Sequence, residues 1–472
     1  MTEPAVPGPD HGTVTPPPAA TSPRPAAPPD VPSDVPTDLS AAAPTAETSG
    51  VARRSAPSRV RRRRPRWIIY LAMLGPGLIA ANAGNDAGGI TTYANAGAQF
   101  VYSTLFVMVL VTVGLVVVQE MSARLGAYTG EGLMSLIREQ FPLRLATFAV
   151  IALVVANVGL VVSEFAGIGA AFELFGVSRY VSVPISAVLI FAVVVFGSYR
   201  YAERVFLLLS FAFVAYPISA VLAHPDWHQV AANLVWPHFV HSRAYLLVVV
   251  ALIGTTITPY MQLYQAAAVA DRGVDPDEYP ATRFDSVTGS IFANFVSITI
   301  IIATAATIGI TDPGVLSSAS EAAKALVPVA GVHAKALFGI GLLGASALAA
   351  AVVPLSTAYA VAEAVGVERS VSRRFREAPL FLGLFTGLIV VGAGVALLPG
   401  NLIYLLLSMQ VLNGIIAPIV LTFLLILANR RSVLGDAANG ARFRVVALVC
   451  VVVIAVLAVA VVVQTVLGWL GV

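Results

Sequence analysis

The chain has 472 residues, 58% of them hydrophobic and only 11% charged, with a formal net charge of +3 and a mean hydropathy of +0.85. That balance excludes an ordinary soluble domain and marks a polytopic membrane protein. Cys450 is the single cysteine, so a disulfide framework or a thiolate metal site within one chain is excluded as well.

Residues 1–66 carry 15 of the 30 prolines together with Ala, Thr and Ser and show no apolar period. They predict a disordered cytoplasmic tail that lacks the charged start and short apolar core of a signal peptide. The tail ends in "RRRRPR" (Arg61 to Arg66), a basic run that reads as a topology signal rather than a nucleic-acid or headgroup site. Apolar runs near the length of about 20 residues that crosses a bilayer then predict eleven spans. They are 67–93, 100–120, 145–173, 180–198, 205–223, 243–269, 287–310, 334–363, 379–397, 400–428 and 443–470. With the N-terminus inside, 24 of the 28 Lys and Arg are cytoplasmic, and only Arg179, Arg243, Lys324 and Lys335 fall outside. This asymmetry places the C-terminus externally.

A spanning helix must satisfy its own backbone, so an interruption at membrane depth is tolerated only where it lines a cavity or is buried in protein. The first span has one at Gly84-Asn85-Asp86-Ala87-Gly88-Gly89, and the sixth carries Pro259 within "GTTITPYMQLYQ" (Gly254 to Gln265). The breaks lie five spans apart, at equivalent points of a first and a second group of five. Such pairing is expected of inverted-repeat transporters with a site between the unwound segments, although a packing kink with tight glycine contacts fits the spacing too. Asp86 favours a site, because a carboxylate at membrane depth costs at least about 2.5 kcal/mol and no Lys or Arg lies in a predicted span interior. A cation from solution is its natural partner.

These residues resemble the NRAMP family of divalent-metal transporters, which has a leucine-transporter-like fold. "GPGLIAANAGNDAGG" (Gly75 to Gly89) is similar to the family's first-span Gly-Pro-Gly and Asp-Pro-Gly-Asn motif, and "SARLGAYTGEGL" (Ser122 to Leu133) to its second loop. "SEFAGIGAAFELFG" (Ser163 to Gly176), "GTTITPYMQ" and "SMQVLNGIIAP" (Ser408 to Pro418) are similar to its spans three, six and ten. The departures carry information. Asp86-Ala87-Gly88-Gly89 keeps the metal-binding Asp and puts Gly89 where the family has an Asn ligand, and Thr258-Pro259-Tyr260 replaces Met-Pro-His. The resemblance thus implies an all-oxygen site of Asp86, Thr258 and unwound carbonyls including Ala83 and Thr255. Oxygen suits Mg²⁺, Ca²⁺ or Mn²⁺, and Mg²⁺ dehydrates reluctantly, so the pattern resembles the NRAMP-related magnesium transporter branch, with Mn²⁺ as runner-up. The family's two span-six histidines fall on Tyr260 and Gln265, and its span-three acidic pair on Val161 and Glu164. Only Glu164 remains titratable, so uptake without proton coupling is expected, with Glu164 either beside the site or hydrogen-bonded elsewhere in the interior.

Gln410 aligns with a family glutamine near the metal and either binds ion or water or bonds helix to helix; Asn413 lies one turn on, on the same face. Asn82 and Asn85 either ligate or cap the freed backbone, and Tyr260 either packs or gates. Glu120 and Arg124 read as a surface i, i+4 pair, and Asp285 with Arg283 as an anchor or cytoplasmic gate. The stretch from His224 to Arg243, with four histidines and two tryptophans, reads as an interfacial loop rather than a metal collector.

The expected molecule is an all-α, leucine-transporter-like inverted repeat in the cell membrane, with repeats 67–223 and 243–428, an eleventh span in 443–472, and discontinuous spans one and six. It carries a partly hydrated divalent cation inward, Mg²⁺ before Mn²⁺. It needs no cofactor, partners with the bilayer and not with nucleic acid, and is no enzyme; the number of copies stays open. A proton-coupled Mn²⁺ transporter using Glu164 is the alternative. An organic-solute carrier of the same fold is a further one, against which Asp86 tells by repelling a substrate carboxylate.

Overall fold

Helix follows hydropathy through residues 85–196, 205, 208–209, 211–366 and 378–469, which are the residues that this computed structural model describes. The tail of 1–66, Asn82, Ala83 and the start of the predicted first span lie outside the described residues. Every element among the described residues is helical. In chain order they include α1 (Ala87–Phe100), α2 (Leu105–Thr129), α3 (Leu133–Gln140), α4 (Leu143–Leu174), α5 (Arg179–Val195), α6 (Ala215–Leu222) and α7 (Trp227–Val235). The predicted sixth span is two helices, α8 (Arg243–Thr256) and α9 (Pro259–Asp271). There follow α10 (Tyr279–Thr304), α11 (Ala334–Val365), α12 (Pro379–Ala396), α13 (Leu402–Asn429) and α14 (Ala441–Trp469). Among the described residues eight helical stretches are long and apolar enough to cross a membrane, α8 and α9 counting as one, while Arg179–Val195 and Phe211–Leu222 are apolar but shorter. The chain is a multi-pass membrane protein.

Starts and stops follow local chemistry. Ser178, Ser242 and Asn401 each turn a side-chain oxygen onto the free N–H groups that open α5, α8 and α13. At 32 residues α4 is about 48 Å long, and it serves as the central post against which α11, α12 and α13 pack. The short helix α1 rests on α10, α13 and α8, buried through most of its length. By contrast, α14 packs on α13 and turns Val449, Val452, Val456 and Val459 outward, as a lipid-facing helix does.

One crossing depends on the absence of side chains. A Cβ on Gly254 of α8 would overlap the Gln410 carbonyl and the Gly414 backbone, and a Cβ on Gly414 would overlap the Val250 carbonyl. Small residues let two membrane helices touch backbone to backbone, and this contact holds the end of α8 against the middle of α13.

Glu120 and Arg124, expected as a surface pair, are instead buried, at 5% and 8% exposure. Arg124 donates to Glu120 Oε2 at 2.6 Å, to Asn439 Oδ1 at 2.7 Å and to the Ala437 carbonyl at 3.0 Å. Glu120 Oε1 also accepts from the Tyr279 hydroxyl at 2.5 Å, and Arg283 Nε stands 3.6 Å from it. The i, i+4 spacing is identical on a wet and a dry face. What buries this pair is the α13–α14 connection laid against α2, together with the first turn of α10.

Removing one member of a buried ion pair strands its partner and costs about 3–5 kcal/mol. Arg124→Ala should therefore lower the thermal unfolding midpoint of the detergent-solubilised protein well below that of Arg144→Ala, whose side chain is exposed.

Candidate metal centre

At Asp86 a helix N-terminus stands in the interior. Asp86 is the extended N-cap residue of α1, with φ −73° and ψ −178°, and its Oδ1 accepts the Gly89 N–H at 2.7 Å. Free N–H groups and the helix dipole make this end suited to negative charge. A second carboxyl arrives from the middle of α4: Glu164 is fully buried, and its Oε2 accepts the Ala87 N–H at 3.4 Å. The two carboxyls thus lie side by side at one helix end. Asp86 Oδ2 and Glu164 Oε1 have no hydrogen-bond partner, and among the described residues no salt bridge reaches either acid.

The second break supplies the opposite polarity. Helix α8 ends at Thr256 and α9 begins at Pro259, leaving Ile257 and Thr258 between them. The Ile257 N–H returns to the Ile253 carbonyl at 2.8 Å, and the carbonyls after it, those of Gly254, Thr255 and Thr256, are helix-end acceptors at the negative pole of α8. Pro259 suits the opening position of α9 because no N–H is needed there. Thr258 is wholly buried and its hydroxyl has no partner. Thr255, equally buried, lies beside the Tyr93 hydroxyl, which exchanges a 2.9 Å hydrogen bond with Thr256 and so ties α1 to the end of α8.

Other expected residues take definite places. Gly89, also expected at the metal, sits in the first turn of α1 and donates its N–H to Asp86 Oδ1. Asn85 Oδ1 accepts from Ser297 of α10 at 3.1 Å, which bonds the break to a neighbouring helix. Gln410 Nε2 donates to Ser163 at 3.3 Å, and its Oε1 accepts from Asn413 at 3.4 Å, while Asn413 Oδ1 stays without a partner. Tyr260 is 3% exposed within the apolar core. Ala83 lies outside the described residues.

Ser163, Ser297, Tyr93 and Thr256 were not expected at the site. Tyr93 could have been found, since it follows Asp86 by two turns on one face of α1. Ser297 needed knowledge of how α10 crosses α1. Among the described residues no three His, Cys, Asp or Glu gather as a metal-ion group, so the four histidines from His224 to His241 do not converge. The centre itself is two acids plus neutral oxygen. Such a set can hold one hard dication with water completing its shell.

The chain matches the Nramp family, described as natural resistance-associated macrophage protein-like, over residues 77–464. A protein of Burkholderia ambifaria named divalent metal cation transporter MntH is 28% identical over 402 residues, 83% of this chain and 88% of that one. Its namesake from Klebsiella pneumoniae is 26% identical over 393 residues, 82% and 92% of the two chains. Among solved structures, the Eremococcus coleocola manganese transporter superposes with a TM-score of 0.67 at 21% identity, covering 86% of this chain and 89% of that one. At that identity the likeness is one of fold.

A Cβ on Gly88 would fall onto the Gln410 amide and the Ser163 hydroxyl. Gly88→Ala should destabilise by about 1–3 kcal/mol through overpacking, and combining it with Gln410→Ala should return part of that loss. Thermal unfolding of the two single variants and the double checks this, non-additivity being the signature of contact.

Proposed function

Because this chain belongs to the Nramp family, we infer that it carries divalent metal cations across a cell membrane, binding them between the breaks of its first and sixth spans. One observation carries this reading: two adjoining buried carboxyls, each with an unpartnered oxygen, face no basic side chain among the described residues. A dication neutralises both at once. Asp86 and Glu164 would supply charge, Thr258 its hydroxyl, and Thr255 with Ala83 their carbonyls, with Gln410 and Asn413 holding ion-bound water. The inverted five-plus-five repeat, an eleventh span, alternating access and a cytoplasmic N-terminus with an external C-terminus belong to the same proposal. It is supported by the paired breaks and by the gathering of arginines at the end that carries Arg124, Arg272 and Arg283.

We place Mn²⁺ first, since the relatives named above include a manganese transporter. Glu164 beside Asp86 supports proton coupling, because a proton can occupy Glu164 when the metal leaves. Mg²⁺ without coupling is the second reading. It is favoured by Thr258 and Gly89, which offer neither the sulfur nor the amide that would select a softer or drier ion.

Asp86→Asn is the informative variant, because Asn caps a helix as well as Asp does and removes only the charge. In liposomes at a fixed potential, the wild type is expected to admit Mn²⁺ with internal acidification, Asp86→Asn to admit none, and Glu164→Gln to lose the pH signal. Mg²⁺ entry without acidification would establish the second reading. Absence of any metal entry would refute both.

A further inference from the structure

Three helices carry polar side chains that point away from lipid and belong to no ion pair, and most of them lie outside the centre described above. On α10, Ser286, Ser290, Asn294 and Ser297 recur at spacings of four, four and three, which puts them on one face, and all are at most 2% exposed. From Ser286 to Ser297 this face runs about 16 Å, taking the helical rise per residue, roughly half of a bilayer core. Its upper end is the centre, where Ser297 bonds Asn85. At its lower end Gln265 of α9 donates to Ser286 at 2.7 Å. One turn higher on α9, Gln262 Oε1 accepts from Ser122 of α2 at 3.2 Å, and Gln119 lies a turn from Ser122 on α2. The three faces thus meet in a seam that leads from the centre toward the arginine-rich end.

The seam is underbonded. Both side-chain polar atoms of Gln119, Nε2 of Gln262, Oε1 of Gln265 and Nδ2 of Asn294 have no hydrogen-bond partner in the protein although their residues are at most 2% exposed. Each such buried amide atom costs about 1–3 kcal/mol when unmatched, and apolar residues of equal size would pack there at no such cost. Amides that alternate donor and acceptor suit water, and through water a hydrated cation.

We propose that this neutral amide and hydroxyl seam is a second binding position, which takes the divalent cation in partly hydrated form between the carboxylate centre and the arginine-rich face. The proposal rests on the transport reading above. In it the ion leaves two carboxylates, gains water from the seam and meets the next buried carboxyl of α10 only at the seam's lower end, where Asp285 adjoins Ser286.

The test uses the full-length protein and Mn²⁺ as probe. Gln262→Leu with Gln265→Leu dries the seam without touching the centre. Equilibrium Mn²⁺ binding by calorimetry should stay within about threefold of wild type, while Mn²⁺ entry into liposomes falls about tenfold or more, as a raised barrier of release requires. Gln262→Glu should act the other way, lowering both the half-saturating Mn²⁺ concentration and the maximal rate, because a charge there traps the ion. Wild-type rates in the folded double variant overturn the seam, and so do wild-type kinetics in Gln262→Glu, which stands in should the double variant fail to fold. A wild-type protein that neither binds nor admits Mn²⁺ refutes the transport reading instead, and is told apart by needing no variant.

Discussion

A helix that ends inside a bilayer leaves backbone groups that water is not there to satisfy, and everything else at this centre follows from how two buried helix ends solve that problem. The N-terminal end of α1 gives its free N–H groups to carboxyls, Asp86 through Gly89 and Glu164 through Ala87. The C-terminal end of α8 has the reverse need, since its last carbonyls lack donors. In the proposed transport reading a cation answers both: it neutralises the acids that the first end gathers and accepts the oxygens that the second end leaves over. Neither half-helix would make a cation site alone.

The rest of the fold holds those two ends in register. Backbone contact at Gly254 and Gly414 fixes α8 on α13, and the Tyr93–Thr256 bond fixes α1 on α8. Gln410 then reaches from α13 to Ser163 of α4, next in sequence to Glu164. Each link is short and polar or glycine-based, because lipid supplies no hydrophobic drive to press helices together and close packing with hydrogen bonds must do so. The buried Glu120–Arg124 node performs the same service far from the centre, joining α2 to α10 through Tyr279 and to the α13–α14 connection through Asn439.

How far the sequence reveals this depends on the range of the interaction. Helices were legible because hydropathy is a local sum, and the breaks because glycine clusters and Pro259 act where they stand. Asp86 was legible because an acid among apolar residues is costly wherever it lies. The companionship of Glu164 was only one of two open readings, since it depends on α4 crossing α1, and the segments are 77 positions apart in the Ala87–Glu164 bond. Arg124 misled for the same reason. Its local partner Glu120 is four residues away, but its deciding partner Asn439 is 315 away, and a periodic pattern cannot show which face a distant loop will cover.

The placement of charge along the chain's polar interior is itself selective. Two unit charges about 4 Å apart interact by about 4 kcal/mol at an effective dielectric of 20, so a dication beside one carboxylate is held by roughly twice that and beside two by more. Such a well stops an ion; repeated at every turn it would keep it. Asp86 and Glu164 stand at a helix end, apart from the buried Glu120 and Asp285 nearer the arginine-rich end, and in the proposed cycle a proton on Glu164 compensates their charge as the ion departs. The face of α10 that leads away carries Ser and Asn instead, whose dipoles stabilise a hydrated ion at each step without offering a depth from which it could not climb. A soluble binding protein has no need of that gradient. A molecule whose task ends with release does, and acids at the centre followed by amides along the proposed seam suit release from a buried site.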